Sequence, residues 1–169
     1  QLILSMKRRW IKLELKLLSF LFILVGLLSA CNSSTEPKES LVEIYSIALD
    51  TIMDGALNSD DEFIAIDMSN FENFDDSDKE DILSYFKKKY KVDVMDATFE
   101  QLRKKGLYNF DTMDGVLLRI EKVDFESNNE IVFSGYKYRA SEDAIGLKIR
   151  VHYKDNKWEV KEVEMDWVS

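Results

Sequence analysis

The sequence predicts an α+β fold in which N-terminal helices pack on a curved, antiparallel, four-stranded meander at the C-terminal end of the chain. Apolar residues recur at the 3.6-residue spacing of helices in several stretches between residues 40 and 106, and from Gly115 onward the spacing changes to two. The length of 169 residues, the 46% hydrophobic content and the single proline indicate one compact domain behind an N-terminal segment.

Two helices are predicted from capping boxes that precede apolar residues at helical spacing. The first begins after Ser40, which can form a capping box with Glu43, and it ends near Gly55. The second begins after Ser77, which can form a capping box with Glu80. Three consecutive lysines near the end of the second helix suit the negative end of its dipole.

Shorter elements lie around the second helix. Residues 63–68 are a brief apolar run that predicts a strand, and residues 92–95 alternate between apolar and charged side chains. Thr98 and Gln101 form a further capping box and predict a third helix of about two turns, which Gly106 can end.

Four strands are predicted in the remaining part of the chain, with turn residues between them. They span residues 116–126, 131–139, 147–153 and 158–168. Short turns, among them Asp155-Asn156, favour antiparallel neighbours in sequence order. The apolar phase shifts at Glu121-Lys122 and again at Lys161-Glu162, which predicts two bulges, a strongly curved sheet and helices on its concave side.

The N-terminal segment is typical of an export signal. We expect translation to start at Met6, followed by a basic cluster and by the uncharged run at residues 17–28. Twelve residues are fewer than the roughly 20 that a helix needs to span a bilayer. Residues 1–30 are therefore predicted to be a signal peptide, and a short transmembrane anchor is the alternative.

The end of this segment resembles the lipobox of bacterial lipoproteins. It consists of Leu28, Ser29, Ala30 and Cys31, with small residues at the two positions before the cysteine. The resemblance implies that signal peptidase recognises the first three residues and cuts before Cys31, whose sulfur carries diacylglycerol. It also implies a protein that is anchored by lipid at the outer, extracytoplasmic face of the cell membrane, because two or more acyl chains hold a protein stably.

The chain after the signal is strongly acidic. Residues 1–30 hold five of the 23 basic and one of the 32 acidic residues, so 18 basic and 31 acidic residues remain, a net charge of −13. This charge argues against nucleic acid or anionic lipid as a partner and favours a basic protein or peptide. Residues 31–39 are predicted to be the lipidated cysteine and a polar tether, and residues 40–169 a single domain.

Aromatic residues offer the main candidate for a binding pocket. The chain has 20 of them, and most are expected in the core because the domain has no disulfide to stabilise it. A cavity lined by Trp158, Tyr136 and Phe133 is the hypothesis for a site that holds an apolar ligand or a peptide side chain.

Candidates for catalysis are weak. No phosphate-binding loop, metal-binding pair or nucleophile motif follows the signal, and His152 is expected on the solvent-facing side of its strand. Asp67, Asp93 and Asp96 are candidates for a buried general base. Residues 75–81 begin like a calcium loop but lack its glycine and its final glutamate, so we expect a solvated helix start and no metal or cofactor.

Helices followed by a curved meander resemble the nuclear transport factor 2 (NTF2) superfamily, with cystatin-like sheets as the alternative. Residues 63–90 and 144–169 also resemble small Gram-positive lipoproteins of unassigned function. We therefore expect a non-catalytic binding or interaction module at the membrane. A small acid/base enzyme of the isomerase or dehydratase type, with a cone-shaped pocket, and an immunity or inhibitor protein are the alternatives.

Overall fold

A computed structural model of the protein describes residues 41–110 and 112–169, which form an α+β fold. The predicted fold class is confirmed at this level. The helices are α1 (Leu41–Met53), α2 (Asp76–Tyr90) and α3 (Phe99–Lys104). The strands are β1 (Phe63–Asp67), β2 (Asp93–Asp96), β3 (Thr112–Ser127), β4 (Glu130–Ala140), β5 (Asp143–Lys154) and β6 (Lys157–Val168).

The six strands form one mainly antiparallel sheet in the order β2-β1-β3-β4-β5-β6. Strands β3, β4, β5 and β6 pair with one another in sequence order and are antiparallel, whereas β1 is parallel to both β2 and β3. The sheet therefore has two strands beyond the predicted four-stranded meander, namely β1, which the apolar run at residues 63–68 predicts as a strand, and β2. Helix α2 connects β1 to β2 and returns the chain to the same sheet, a parallel pairing that a local sequence pattern does not reveal.

The start of helix α2 differs from the prediction. Its N-cap is Asp75, which accepts a hydrogen bond from the backbone N–H of Asp78 at 2.9 Å, while the carboxylate of Asp78 accepts from the N–H of Asp75 at 3.0 Å. The predicted capping box of Ser77 and Glu80 is therefore wrong. Two carboxylates cap the helix in the same reciprocal way, and their charge is favourable at the positive end of the helix dipole.

The cap of α3 and the ends of α1 and α3 agree with the predictions. The capping box of Thr98 and Gln101 at the start of α3 is confirmed, and Gly106 follows that helix with a positive φ of 74°. Gly55, with a φ of 64°, lies just beyond the end of α1, as predicted. The proposed cap Ser40 lies outside the described residues.

Helices α1 and α2 cover one face of the sheet, called here the helix face. The core on this face includes Ile44, Phe86 and Phe133, all fully buried. The other side of the sheet, called the opposite face, is covered at β1 and β3 by α3 and the segment after it, in a smaller cluster around Phe63 and Leu102. The core thus lies towards the β1 side of the sheet, and β6 forms one of its two edges.

Both predicted bulges are confirmed. The β3–β4 register shifts between Ile120 and Lys122, and the β5–β6 register shifts at the strand β6 residue Lys161. Each bulge keeps the apolar residues on either side of it on the helix face. The turn Asp155-Asn156 is also confirmed, because both residues have the positive φ of the type I′ turns that close tight hairpins.

Candidate functional site

The three aromatic residues predicted to line a pocket lie on different faces of the sheet. Phe133 and Trp158 are 0% and 6% exposed within the core under the helices, where the Trp158 ring lies 5.4 Å from that of Tyr153. Tyr136 lies on the opposite face, because it is three residues from Phe133 in one strand and strand side chains alternate. The structure therefore brings Phe133 and Trp158 into one core and leaves Tyr136 outside it.

Tyr136 belongs to a row of cross-strand partners on the opposite face. The row consists, from β1 to β6, of Asp67, Arg119, Tyr136, Gly146 and Trp167. Arg119 donates from Nη1 to Oδ2 of the buried Asp67 at 2.6 Å, and the rings of Tyr136 and Trp167 are 5.9 Å apart. Burial raises the pKa of the Tyr136 hydroxyl, so that this group stays neutral.

Substituting Gly146 by alanine is expected to displace Trp167. A Cβ at position 146 would lie 2.1 Å from Nε1 of the indole, so the ring must move. Because the indole is partly exposed and can shift, the expected loss is about 1 kcal/mol in the free energy of unfolding. Urea unfolding checks this, and an equal loss in a Trp167→Ala background would contradict the explanation.

The candidate general bases are either paired or exposed. Asp67 is 1% exposed, but its carboxylate accepts hydrogen bonds from Arg119 and from the backbone N–H of Ser69. Asp93 and Asp96 are exposed, and Asp96 accepts from the N–H of Met68 at 3.2 Å. None of these three carboxylates is both buried and unpaired, which is the environment that a general base of this type needs.

His152 lies on the opposite face, as the strand alternation predicts. Its side chain is 21% exposed, and Nε2 lies 3.3 Å from Oε1 of Glu159 on the neighbouring strand. Other charged side chains of this face form a network in which Arg150 contacts Glu126, Glu130 and Glu162. The histidine is thus one member of a charged sheet surface.

A second buried ion pair lies beside a cavity of about 250 Å³ at the end of α1. Arg139 binds Asp61 with both terminal nitrogens, with Nη2 2.8 Å from Oδ2, and it also donates to the carbonyl of Ala56 at 2.6 Å. Burial raises the pKa of Asp61, but hydrogen bonds from Arg139 and from the N–H of Asn58 lower it more, so its pKa lies below the usual range. The pair ties the loop before β1 to β4.

Asp61→Asn is expected to make the free energy of unfolding less dependent on pH at acidic pH. The folded-state pKa of Asp61 is lowered, so its stabilisation is complete above the unfolded pKa of about 4 and is lost as the pH falls through the folded value. The variant should lose about 1–3 kcal/mol at pH 7 and less below pH 4. Urea unfolding between pH 2 and 7 measures this, with the exposed Asp60→Asn as control. Parallel profiles for Asp61→Asn and the wild type would contradict it.

An open groove of about 490 Å³ lies between the C-terminal ends of α1 and α2 and the strand residue Val160. Asp50 in this groove accepts hydrogen bonds from Lys89 at 2.5 Å and from the Tyr90 hydroxyl at 2.8 Å. Burial and the bond to Asp50 raise the pKa of Tyr90, which keeps the hydroxyl a donor. Asp54 and Met53 also line the groove, which therefore combines apolar and acidic groups.

The second half of edge strand β6 is exposed on both faces. After the buried Trp158, every residue from Val160 onward is exposed. Four apolar side chains lie on its helix face and are called here the β6 strip. They are Val160, Val163, Met165 and Val168, with exposures of 38%, 46%, 67% and 61%.

The β6 strip was not predicted from the sequence. The alternation of Val163, Met165 and Trp167 predicts a half-buried strand with all three side chains in one phase. A further register shift between Met165 and Trp167 places Trp167 on the opposite face, and no described element covers the other two. The signal available in the sequence is the alternation of apolar residues with carboxylates at residues 162–166.

The acidic stretches do not converge. Asp75 and Asp78 are engaged in the cap of α2, and Asp61 is paired with Arg139. Within residues 41–110 and 112–169, no group of three His, Cys, Asp or Glu side chains is arranged to hold a metal ion.

Comparisons of the chain with protein families, curated proteins and solved structures found no match. The lipobox residues Leu28, Ser29, Ala30 and Cys31 lie outside the described residues. None of the helices in the described part of the chain has both the length and the apolar character to cross a membrane. The candidate functional surface is therefore defined by geometry alone, and it is the β6 strip with the adjoining groove.

Proposed function

We propose that the protein is a lipoprotein whose domain is a non-catalytic interaction module at the outer face of a cell membrane. The support for the anchor is the uncharged run at residues 17–28, which ends in the first residue of the lipobox Leu28, Ser29, Ala30 and Cys31. The support for a module without catalysis is that the candidate bases Asp67, Asp93 and Asp96 are paired or exposed.

One observation carries the interaction function, and it is the exposure of the β6 strip. Met165 and Val168 expose 67% and 61% of their surface on a strand that, in the part of the chain that the structure describes, pairs with only one neighbour. Exposed apolar side chains beside free backbone groups favour association, and proteins usually protect such edges. A protein partner that covers the β6 strip removes these side chains from water.

The alternatives are related to this proposal in different ways. A small acid/base enzyme needs a buried carboxylate facing a cavity, and the cavity near α1 instead has the Asp61–Arg139 ion pair beside it. An immunity or inhibitor protein is a special case of the interaction module, with a basic target that suits the net charge of −13. An NTF2-like or cystatin-like fold remains a proposal, supported by two helices on one face of a bulged sheet.

The anchor is tested by intact mass spectrometry of the protein extracted from membranes. The expected mass is that of a chain beginning at an acylated Cys31, and Cys31→Ser should abolish both the acylation and the membrane fraction. A mass that includes residues 1–30 without acyl groups would overturn the proposed anchor.

The interaction is tested by photo-crosslinking in cells, with the full-length protein in its membrane. A photoreactive amino acid at Met165 is expected to yield one protein adduct, whereas the same group at Phe125 should yield none. Phe125 is the matched control because it is 57% exposed on the helix face of β3, with two strands between β3 and β6. The adduct should disappear when Val163 and Val168 are replaced by threonine. Equal adducts at both positions, or none at Met165, would overturn the proposal.

A further inference from the structure

We propose that β6 binds an extended segment of a partner protein as an added strand, and that apolar and basic residues alternate in this segment. This inference rests on the proposed interaction function and specifies the partner of the same surface. Three features of β6 support it, namely its backbone, the apolar side chains of one face and the carboxylates of the other.

The backbone of β6 is a suitable template for a strand. Within residues 41–110 and 112–169 its only neighbour in the sheet is β5, so the other edge of β6 pairs with no described strand. From Glu162 to Met165 the register with β5 is continuous, which leaves a regular edge between the bulge at Lys161 and the register shift after Met165. An added strand gains its affinity from main-chain hydrogen bonds along such an edge.

The two edges of the sheet differ in length and in exposed apolar surface. Strand β2 has only four residues, and exposed carboxylates stand at both of its ends, Asp93 and Asp96. A short edge with charged ends resists the addition of a further strand. Strand β6 is three times longer and exposes the β6 strip. Of the two edges, β6 is therefore the better template for an added strand.

The helix face of β6 selects apolar residues. Val163 and Met165 stand opposite Ile149 and the partly buried Leu147 in the register, so their side chains continue the apolar surface of β5. A strand beside β6 places every second side chain on this surface. Apolar residues at those positions would be removed from water together with the β6 strip.

The opposite face of β6 selects basic residues. Glu162 and Glu164 project there, and Asp166 follows. Within the described residues neither Glu164 nor Asp166 forms an ion pair, whereas Glu162 lies 3.5 Å from Arg150. Basic side chains at the alternate positions of the added strand would lie next to these carboxylates, and cross-strand pairs of opposite charge stabilise a sheet.

The charge of β6 also argues against a second copy of this chain as the occupant. From Val160 to Val168 the strand has three carboxylates and one lysine, and Lys161 is bound to Glu130. Pairing two β6 edges would bring two such strands of net charge −2 together, and like charges directly opposite each other destabilise a strand pair. An anionic membrane surface is disfavoured for the same reason.

The inference is tested with nine-residue peptides and the full-length protein in detergent. The probe is a peptide with both termini chemically capped, in which valine alternates with lysine. It is expected to bind at least about tenfold more tightly than a peptide of the same composition with the valines and lysines in separate blocks, and than one with glutamate in place of lysine. The double variant Glu162→Lys/Glu164→Lys should weaken the binding of the probe by about tenfold or more. Glu80→Lys/Glu100→Lys, which makes the same charge change at exposed residues of α2 and α3, is the control that should not.

N-methylation of the probe distinguishes strand addition from other modes of binding. Successive N–H groups of a strand point to opposite edges, so methylating either the valine or the lysine amides removes the donors of one edge only. One of the two methylated peptides should bind like the probe, and the other should lose binding by at least about tenfold. Equal binding of the two methylated peptides would overturn the inference. Equal binding of the alternating peptide and the peptide with separate blocks would overturn it as well.

The failure of this inference is distinguishable from that of the proposed function. The peptides can fail to show the expected differences in binding while the photoreactive group at position 165 still forms its specific adduct in cells. A partner then binds the β6 strip in another conformation, and only the strand-addition inference is overturned. If the adduct at Met165 is absent, the proposed function is overturned as well.

Discussion

Trp158→Ala is expected to lower the free energy of unfolding by about 3–5 kcal/mol, which for a domain of this size is a large part of its total stability. The indole is 6% exposed and packs in the core that α1 and α2 form with the helix face of the sheet. Removing it leaves a cavity that the neighbouring Tyr153 cannot fill. Urea unfolding followed by circular dichroism measures the effect.

Trp167→Ala is the matched control for this substitution. It removes the same side chain from the same strand, but Trp167 is 38% exposed on the opposite face. The expected loss is about 1 kcal/mol or less, because little apolar area returns to water. If Trp158→Ala left the stability unchanged, Trp158 would line a ligand cavity, and the pocket hypothesis drawn from the sequence would regain its basis.

Asp67→Ala is expected to lower the free energy of unfolding by about 2–3 kcal/mol. The substitution removes the partner of Arg119 from a site where the carboxylate is 1% exposed, and it also leaves the N–H of Ser69 without its acceptor. Breaking a buried pair from one side costs about 3–5 kcal/mol, but the Arg119 side chain is 35% exposed and can reach water, which reduces the loss.

The double variant Asp67→Ala/Arg119→Met separates a structural from a catalytic role of Asp67. It should recover part of the stability, because no charge is then left without a partner. Asp93→Ala, at an exposed carboxylate in β2, is expected to cost about 0.5 kcal/mol or less. If Asp67→Ala were as stable as the wild type, the ion pair would not be structural, and an enzymatic role of this carboxylate would become the better hypothesis.

Local patterns in the sequence are sufficient to predict most of the elements. The capping box of Thr98 and Gln101, the tight turn at Asp155-Asn156 and the two bulges all follow from residues close together in the chain. The N-cap of α2 was misplaced by two residues, because Asp75 and Asp78 satisfy the same capping rule as Ser77 and Glu80. A local pattern with two solutions does not decide between them.

Properties that depend on distant residues were not predictable in this way. The parallel pairing of Phe63 with Gly115 joins residues 52 positions apart, and nothing near either residue specifies it. The exposure of Val163 and Met165 depends on which strand lies at the edge and on how far the helices extend over it. The alternation of apolar residues in β6 therefore indicated a strand correctly without showing that the strand is uncovered.

The position of β1 between β2 and β3 has a consequence for how the chain folds as it is made. Strand β1 pairs only with strands that follow it, since Phe63 joins Asp93 and Gly115, whereas the hairpins from β3 to β6 are closed by two-residue turns. Closing a long loop costs more entropy than closing a tight hairpin, so the hairpins are expected to form before β1 is enclosed. During synthesis β1 and α1 must wait for β3 to emerge. The best-buried part of the finished sheet is thus the part most exposed to aggregation before folding is complete.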